Sequence, residues 1–203
     1  QLEELTGAPV FEILDPTLLI RADEWRSHLV GRTSFDEPCP YILLYLIGVS
    51  PSYYEEHYSE IVLSLKRLTG YKVLLVRHDD LPHSGVDGVL SRLTPWELAE
   101  YIDNASLVIS SSFHGIAFSA NFDTPFVAID NPANPDRVHN LLDRLGLSSR
   151  RIQGLENLQD DLFDRPMGEE GSSTLEAIRA EGLDWISEIF GRGSAGERSD
   201  ESR

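Results

Sequence analysis

Leu107-Val108-Ile109-Ser110-Ser111-Ser112-Phe113-His114-Gly115-Ile116-Ala117-Phe118-Ser119-Ala120-Asn121-Phe122 runs from an apolar segment, through three serines, into a stretch of small and apolar residues. Leu107 to Ile109 has the continuous apolarity of a strand buried on both faces, and Phe113 to Phe122 reads as the helix that follows it. Parallel α/β folds bind ligands at such strand-to-helix turns, where a helix N-terminus offers unpaired N–H groups and partial positive charge to an anion. His114 is therefore the leading catalytic candidate. Ser110, Ser111 and Ser112 are candidate anion ligands, the competing reading being that they only cap the helix. Gly115, Ala117, Ser119 and Ala120 would let the helix approach the sheet, and Gly115 would also open the backbone to a ligand.

The same alternation continues outward. Towards the N-terminus, Tyr41 to Leu46 reads as a buried strand. Ser50-Pro51 caps a helix running to about Leu68 and ended by Gly70, and Tyr71 to Val76 makes the next strand. A polar loop, Arg77 to Gly88, leads to Thr94-Pro95-Trp96-Glu97, a capping box with proline at the first helical position, and to a helix through Ile102. Val10 to Leu14 suggests a short strand broken by Asp15-Pro16, and Ala22-Asp23-Glu24-Trp25 starts a short amphipathic helix.

Beyond the central turn, Pro125 to Ile129 is another buried strand, and Asn134-Pro135 opens a helix stopped by Gly146. A less regular region, Arg150 to Gly171, precedes an amphipathic helix from about Thr174 to Phe190. Strands and helices joined by short connections predict an α/β fold: a Rossmann-like parallel sheet flanked by helices. One domain is expected over residues 1–190, with 191–203 a polar, disordered tail.

The 203 residues, 41% hydrophobic, suffice for one substantial core. The formal charge of −17 opposes the counterion release that drives nucleic-acid binding, and it disfavours anionic membrane surfaces. Cys39 is the single cysteine, so neither an intramolecular disulfide nor a cysteine metal cage can form, which fits a reducing compartment. His28, His57, His83 and His139 have no partners at ligand spacing, so no metal is expected. Lys66 and Lys72 are the only lysines; the other cations are arginines, suited to forked recognition of carboxylate or phosphate. Arg137, after the strand that follows the central turn, would reach the same sheet edge as His114. Arg77, with His78, follows another strand and is the weaker candidate, and Asp79-Asp80 beside it would serve a sugar hydroxyl or face water. The chain opens on Gln1 and its one methionine is Met167, so it reads as part of a longer protein.

Ser111-Ser112-Phe113-His114-Gly115, preceded by Asn104-Ala105 and followed by Thr124-Pro125-Phe126-Val127, resembles the signature of the polysaccharide pyruvyl transferase family. Leu14-Asp15-Pro16-Thr17, Glu24-Trp25, Tyr41 to Tyr45, Arg137, Leu145-Gly146-Leu147 and Arg150 stand in the order that family shows. The resemblance implies the C-terminal half of a GT-B fold, in which an N-terminal domain of the same protein faces this one across a cleft. It further implies a cytoplasmic transferase, working as far as the inner face of the membrane. Such an enzyme moves the enolpyruvyl group of phosphoenolpyruvate onto a sugar, free or in a lipid-linked oligosaccharide, to form a pyruvate ketal in cell-surface polysaccharide.

That chemistry needs an acid for the methylene carbon, donors for the carboxylate and departing phosphate, and a base for the hydroxyls; it needs no cofactor beyond the donor substrate. His114 would be the acid. Because a helix N-terminus disfavours imidazolium, a bound anionic donor has to restore its charge. The resemblance departs at Ser112, where many members carry arginine, so that anion-binding contribution must come from elsewhere. Two other readings stay open: a nucleotide-sugar glycosyltransferase or epimerase, although Gly115 to Phe122 holds no acid for a ribose, and a non-catalytic binding domain.

Overall fold

In the computed structural model, the described residues are 4–5, 7, 13–31, 35, 37, 39–76, 84–130, 136–152 and 161–196, with 191–196 described by backbone alone. The five strands are β1 (Tyr41–Tyr45), β2 (Lys72–Val76), β3 (Gly88–Leu90), β4 (Leu107–Ser110) and β5 (Phe126–Ala128). All pair in parallel, in the order β3-β2-β1-β4-β5. The chain builds outward from β1 to β3 and then returns to the other side of β1 for β4. The order therefore reverses between β1 and β4, and the crevice beyond their carboxyl ends is the topological switch point at which open α/β sheets bind ligands.

Alternation along the strands divides the core between two faces. On one face, Ile42, Leu44, Val73, Leu75, Leu107 and Ile109 pack against Tyr54 of α3 (Pro51–His57) and Ile61, Val62 and Leu65 of α4 (Ser59–Thr69). On the other, Leu43, Leu74, Val108 and Phe126 meet α1 (Pro16–Leu19), α2 (Ala22–Leu29), α5 (Pro95–Asp103), α6 (Phe113–Phe122) and α7 (Asp136–Arg144). The last helix, α8 (Gly168–Gly196), packs against this second cluster through Leu175 and Ile178.

The expected helix after Pro51 is two helices. Tyr58 interrupts it with φ −123° and ψ −19°, and its hydroxyl donates to the Asp130 carbonyl at 3.2 Å. Strand β3 begins at Gly88, the end of the expected loop, and takes in Val89 and Leu90, for which no element was expected; its three residues are at most half-buried, so they lack the apolar run that marks the inner strands. Helix α8 begins six residues before Thr174 and continues past Phe190. The expected strand at Val10 to Leu14 falls mostly outside the described residues, as do Arg77, His78, Asp79 and Asp80 and the end of the tail. Cys39 is exposed, just before β1. No described helix is long and apolar enough to cross a membrane.

Helix α5 shows the expected capping box: the Thr94 hydroxyl accepts from the Glu97 amide, and the Glu97 carboxylate accepts from the Thr94 amide at 2.7 Å. Helix α6 is mostly apolar because it is mostly buried, every residue from Gly115 to Phe122 lying in the interior.

Candidate functional site

Three buried serines stitch the crevice together. Ser110 Oγ donates to the Tyr45 carbonyl at the end of β1 (2.8 Å) and accepts from the Ser112 amide (3.0 Å). Ser111 Oγ accepts from the Ile47 amide (2.8 Å) and donates to the Ile47 carbonyl (3.0 Å), bracing the loop after β1 against the loop after β4. Ser112 is the N-cap of α6, its hydroxyl accepting from the Gly115 amide. The hydroxyls are thus engaged with backbone in this structure. The groups left over are the amides of Phe113 and His114, for which a helix provides no internal acceptor.

Close packing dictates the glycine at 115. A Cβ there would lie 2.3 Å from Ser110 Oγ and 2.9 Å from Tyr45 Cδ1, closer than atoms tolerate. The expected approach of helix to sheet is present, and the side on which a Cβ of residue 115 would stand is filled by Ser110 and Tyr45.

Helix α6 carries His114 half-exposed at the mouth of the crevice. Helix α1 brings up a carboxylate: Asp15 is its N-cap, and Asp15 Oδ1 accepts from the Thr17 amide (3.1 Å) and hydroxyl (2.8 Å). This fixes the largely buried Asp15 with Oδ2 3.7 Å from His114 Nε2 and 3.8 Å from Arg137 Nη2. These are charge contacts rather than hydrogen bonds. The Arg137 guanidinium lies over the Phe113 ring, 4.4 Å from its centroid, as a cation–π contact. Imidazole, carboxylate and guanidinium therefore converge on the first turn of α6.

Arg137 is itself anchored through its helix. Two residues on, His139 Nε2 contacts Asp130 Oδ1 at 3.0 Å, and the Arg151 guanidinium grips both Asp130 oxygens at 2.9 and 3.0 Å. The Arg151 hydrogen bond holds the Asp130 carboxyl below the usual aspartate range despite partial burial, and His139 adds to the effect.

His114 borders two cavities. One, about 250 Å³, is lined by Tyr45, Ser111, Ser112, Phe113 and Arg137 among others. The second, about 770 Å³, has mainly apolar walls. A third, of about 260 Å³, brings Asp15 and Arg137 together with Arg144. Among the described residues, no three His, Cys, Asp or Glu side chains are grouped as a metal ion would require.

The structure thus unites His114, the three serines, Gly115 and Arg137 at one sheet edge, whereas Arg77 is outside the described residues. Sequence reasoning missed Asp15 as a site residue. Its Asp-Pro-Thr setting announces a helix cap, and nothing local shows that the cap's free oxygen faces a histidine distant in the chain.

A family model described as polysaccharide pyruvyl transferase matches residues 1–133. No curated protein matches. Among solved structures, the glycotransferase of kitacinnamycin superposes with a TM-score of 0.57 at 17% identity, covering 91% of this chain and 49% of its own. An O-GlcNAc transferase mutant (K341M) from Thermobaculum terrenum gives a TM-score of 0.47 at 15% identity, covering 87% of this chain and 35% of its own. This chain spans 49% of the first of these structures, and that likeness is one of fold: a Rossmann-like sheet of the GT-B kind.

Proposed function

We propose, from the premise that this chain belongs to the polysaccharide pyruvyl transferase family, that its crevice transfers the enolpyruvyl group of phosphoenolpyruvate to two hydroxyls of a sugar. The observation that carries this reading is the convergence of His114, Asp15 and Arg137 on the first turn of α6.

In the proposed reaction, His114 protonates the methylene carbon of the donor, leaving cationic character on the carbon that bears the carboxylate and phosphate. A sugar hydroxyl adds to that carbon, the C–O bond to phosphate breaks, and a second hydroxyl closes the ketal. Two hydroxyl protons are lost: one replaces the proton now in the new methyl group, and the other leaves on phosphate. Arg137 and the amides of Phe113 and His114 would hold the donor's anionic groups. Asp15 would supply a countercharge to imidazolium at a helix terminus that otherwise disfavours it. Arg137, stacked on Phe113, would take over the anion-binding role that many family members give to an arginine at the position of Ser112.

A second domain of the same protein would close the crevice and carry most acceptor contacts, in keeping with a chain that covers 49% of the kitacinnamycin glycotransferase. The reading extends to a cytoplasmic enzyme of surface-polysaccharide synthesis.

The test uses the full-length protein, with phosphate release from phosphoenolpyruvate measured in the presence of a glycan acceptor. His114→Ala should lower turnover by about 10²–10⁴-fold while leaving donor binding measurable. Arg137→Ala should raise the donor KM. Turnover of a nucleotide sugar together with no binding of phosphoenolpyruvate would overturn the assignment.

A further inference from the structure

Across the crevice from Arg137, the loop after β3 contains an arginine in a conformation that arginine seldom adopts. Arg92 has φ 58°, in the left-handed region where a side chain costs about 1–2 kcal/mol. The loop is fixed at both ends, by pairing of Leu90 with Val76 in the sheet and by the Thr94–Glu97 capping box. The surrounding structure thus holds the strained residue in place, as it does for strained residues with a task at a site. Arg92 lines the 770 Å³ cavity, the one His114 also borders. That volume lies within the range of sites for drug-sized ligands and exceeds what the three-carbon donor requires.

The other walls are mainly apolar: Trp25, Leu46, Val49, Leu93, Leu98 and Phe118 all contribute. Arg92 is the only arginine or lysine among the cavity's lining residues, and among the described residues no acidic side chain forms an ion pair with it. Arg92, the one guanidinium on a mainly apolar chamber that His114 also borders, selects a ligand with an apolar body and an anionic group.

We propose that this cavity, opposite the Arg137 side of His114, is an acceptor subsite taking an apolar portion of the acceptor, and that Arg92 binds an anionic group adjoining that portion. The proposal rests on the transferase reading for the word acceptor; the ligand chemistry rests on the cavity alone. Arg137 would then serve the donor and Arg92 the acceptor, with His114 between them.

The test uses 8-anilinonaphthalene-1-sulfonate, an aromatic body with one sulfonate, as the probe on the full-length protein. Binding is read as energy transfer from tryptophan, since Trp25 lines the cavity. Arg92→Gly deletes the guanidinium and relieves the left-handed backbone, so its melting temperature should not fall. It should weaken probe binding about tenfold. Octyl phosphate should displace the probe from the wild type at lower concentration than octanol does, and the difference should vanish in Arg92→Gly. Leu93→Phe, which narrows the chamber without touching the charge, should also weaken the probe.

Probe binding indifferent to both substitutions overturns the subsite. If phosphoenolpyruvate binds in an Arg137-dependent manner while the probe ignores Arg92, the subsite fails and the transferase reading stands. If phosphoenolpyruvate does not bind but the probe depends on Arg92, the transferase reading fails and the ligand site stands.

Discussion

At Gly115 the sequence and the geometry meet on one atom. The missing Cβ is what lets α6 start against Ser110 and Tyr45, so Gly115→Ala must push the helix away from β4 or displace a hydroxyl that already bridges two strands. Overpacking of this kind costs about 1–3 kcal/mol, which in a chain of this size lowers the melting temperature by roughly 2–12 °C. An unchanged melting curve would show that the turn has slack the contacts do not suggest. Asp15 allows a different test, because its two oxygens do different things. Asp15→Asn can keep the hydrogen bonds from Thr17 while removing the charge between His114 and Arg137. If the carboxylate positions His114 and Arg137, turnover should fall roughly tenfold while the melting temperature barely changes. Unchanged turnover would reduce Asp15 to a helix cap. His114, the serines and Arg137 were legible because a strand, a turn and a helix follow one another in the chain. Asp15 and Arg92 were not, since one reaches the site only through the packing of α1 on α6 and the other is marked by a backbone angle.

Elements were most legible where one local cause decided them. The capping box of α5, the proline after Ser50, the apolar run Leu107 to Ile109 of β4 and the glycine stops at Gly70 and Gly146 each correspond to observed structure, with both glycines at φ 70°. Tertiary partners decided the rest: Tyr58 leaves helical geometry where its hydroxyl meets the Asp130 carbonyl, and β3 exists because β2 offers it an edge. Helix α8 depends on such a partner too. Arg179, almost wholly buried, donates to the Leu18 carbonyl at 2.7 Å and to Asn121 Oδ1 at 3.0 Å and pairs with Glu176, tying α8 to the helix that carries Asp15 and to the one that carries His114. Burial pushes this guanidinium below its ordinary value, with Glu176 opposing the shift. Arg179→Met fills much of the volume but strands the Leu18 carbonyl and the Asn121 amide oxygen, each costing about 1–3 kcal/mol if left unsatisfied. The expected result is a loss of about 2–4 kcal/mol in urea unfolding. Turnover should fall as well, measured well below the melting temperature, because α1 is no longer pinned. Full activity in the surviving folded fraction would separate α8 from the site.

On the scale of the whole molecule, charge sets how stability responds to solution conditions. Asp130 is ionised more readily in the fold than in the unfolded chain, where aspartate titrates near 3.9. Its contribution is therefore complete above that unfolded value and is lost as pH falls through the lower folded value; Asp130→Asn should flatten the acid limb of a plot of melting temperature against pH. Near neutrality the sum of charges outweighs any one pair. Ion pairs such as Arg21–Glu176, with 58% and 46% of their side chains exposed, contribute little and weaken with salt. A net charge of −17 on 203 residues repels itself throughout the compact state, and that repulsion is screened by the same salt. Raising ionic strength from about 0.01 M to about 0.15 M shortens the screening length from roughly 30 Å to roughly 8 Å, less than the width of the sheet and its helices. The repulsive sum should lose more than the short pairs do. The melting temperature at pH 7 should therefore rise by several degrees across that range in sodium chloride, and a fall would mean that the arginine–carboxylate pairs between elements outweigh the excess of negative charge.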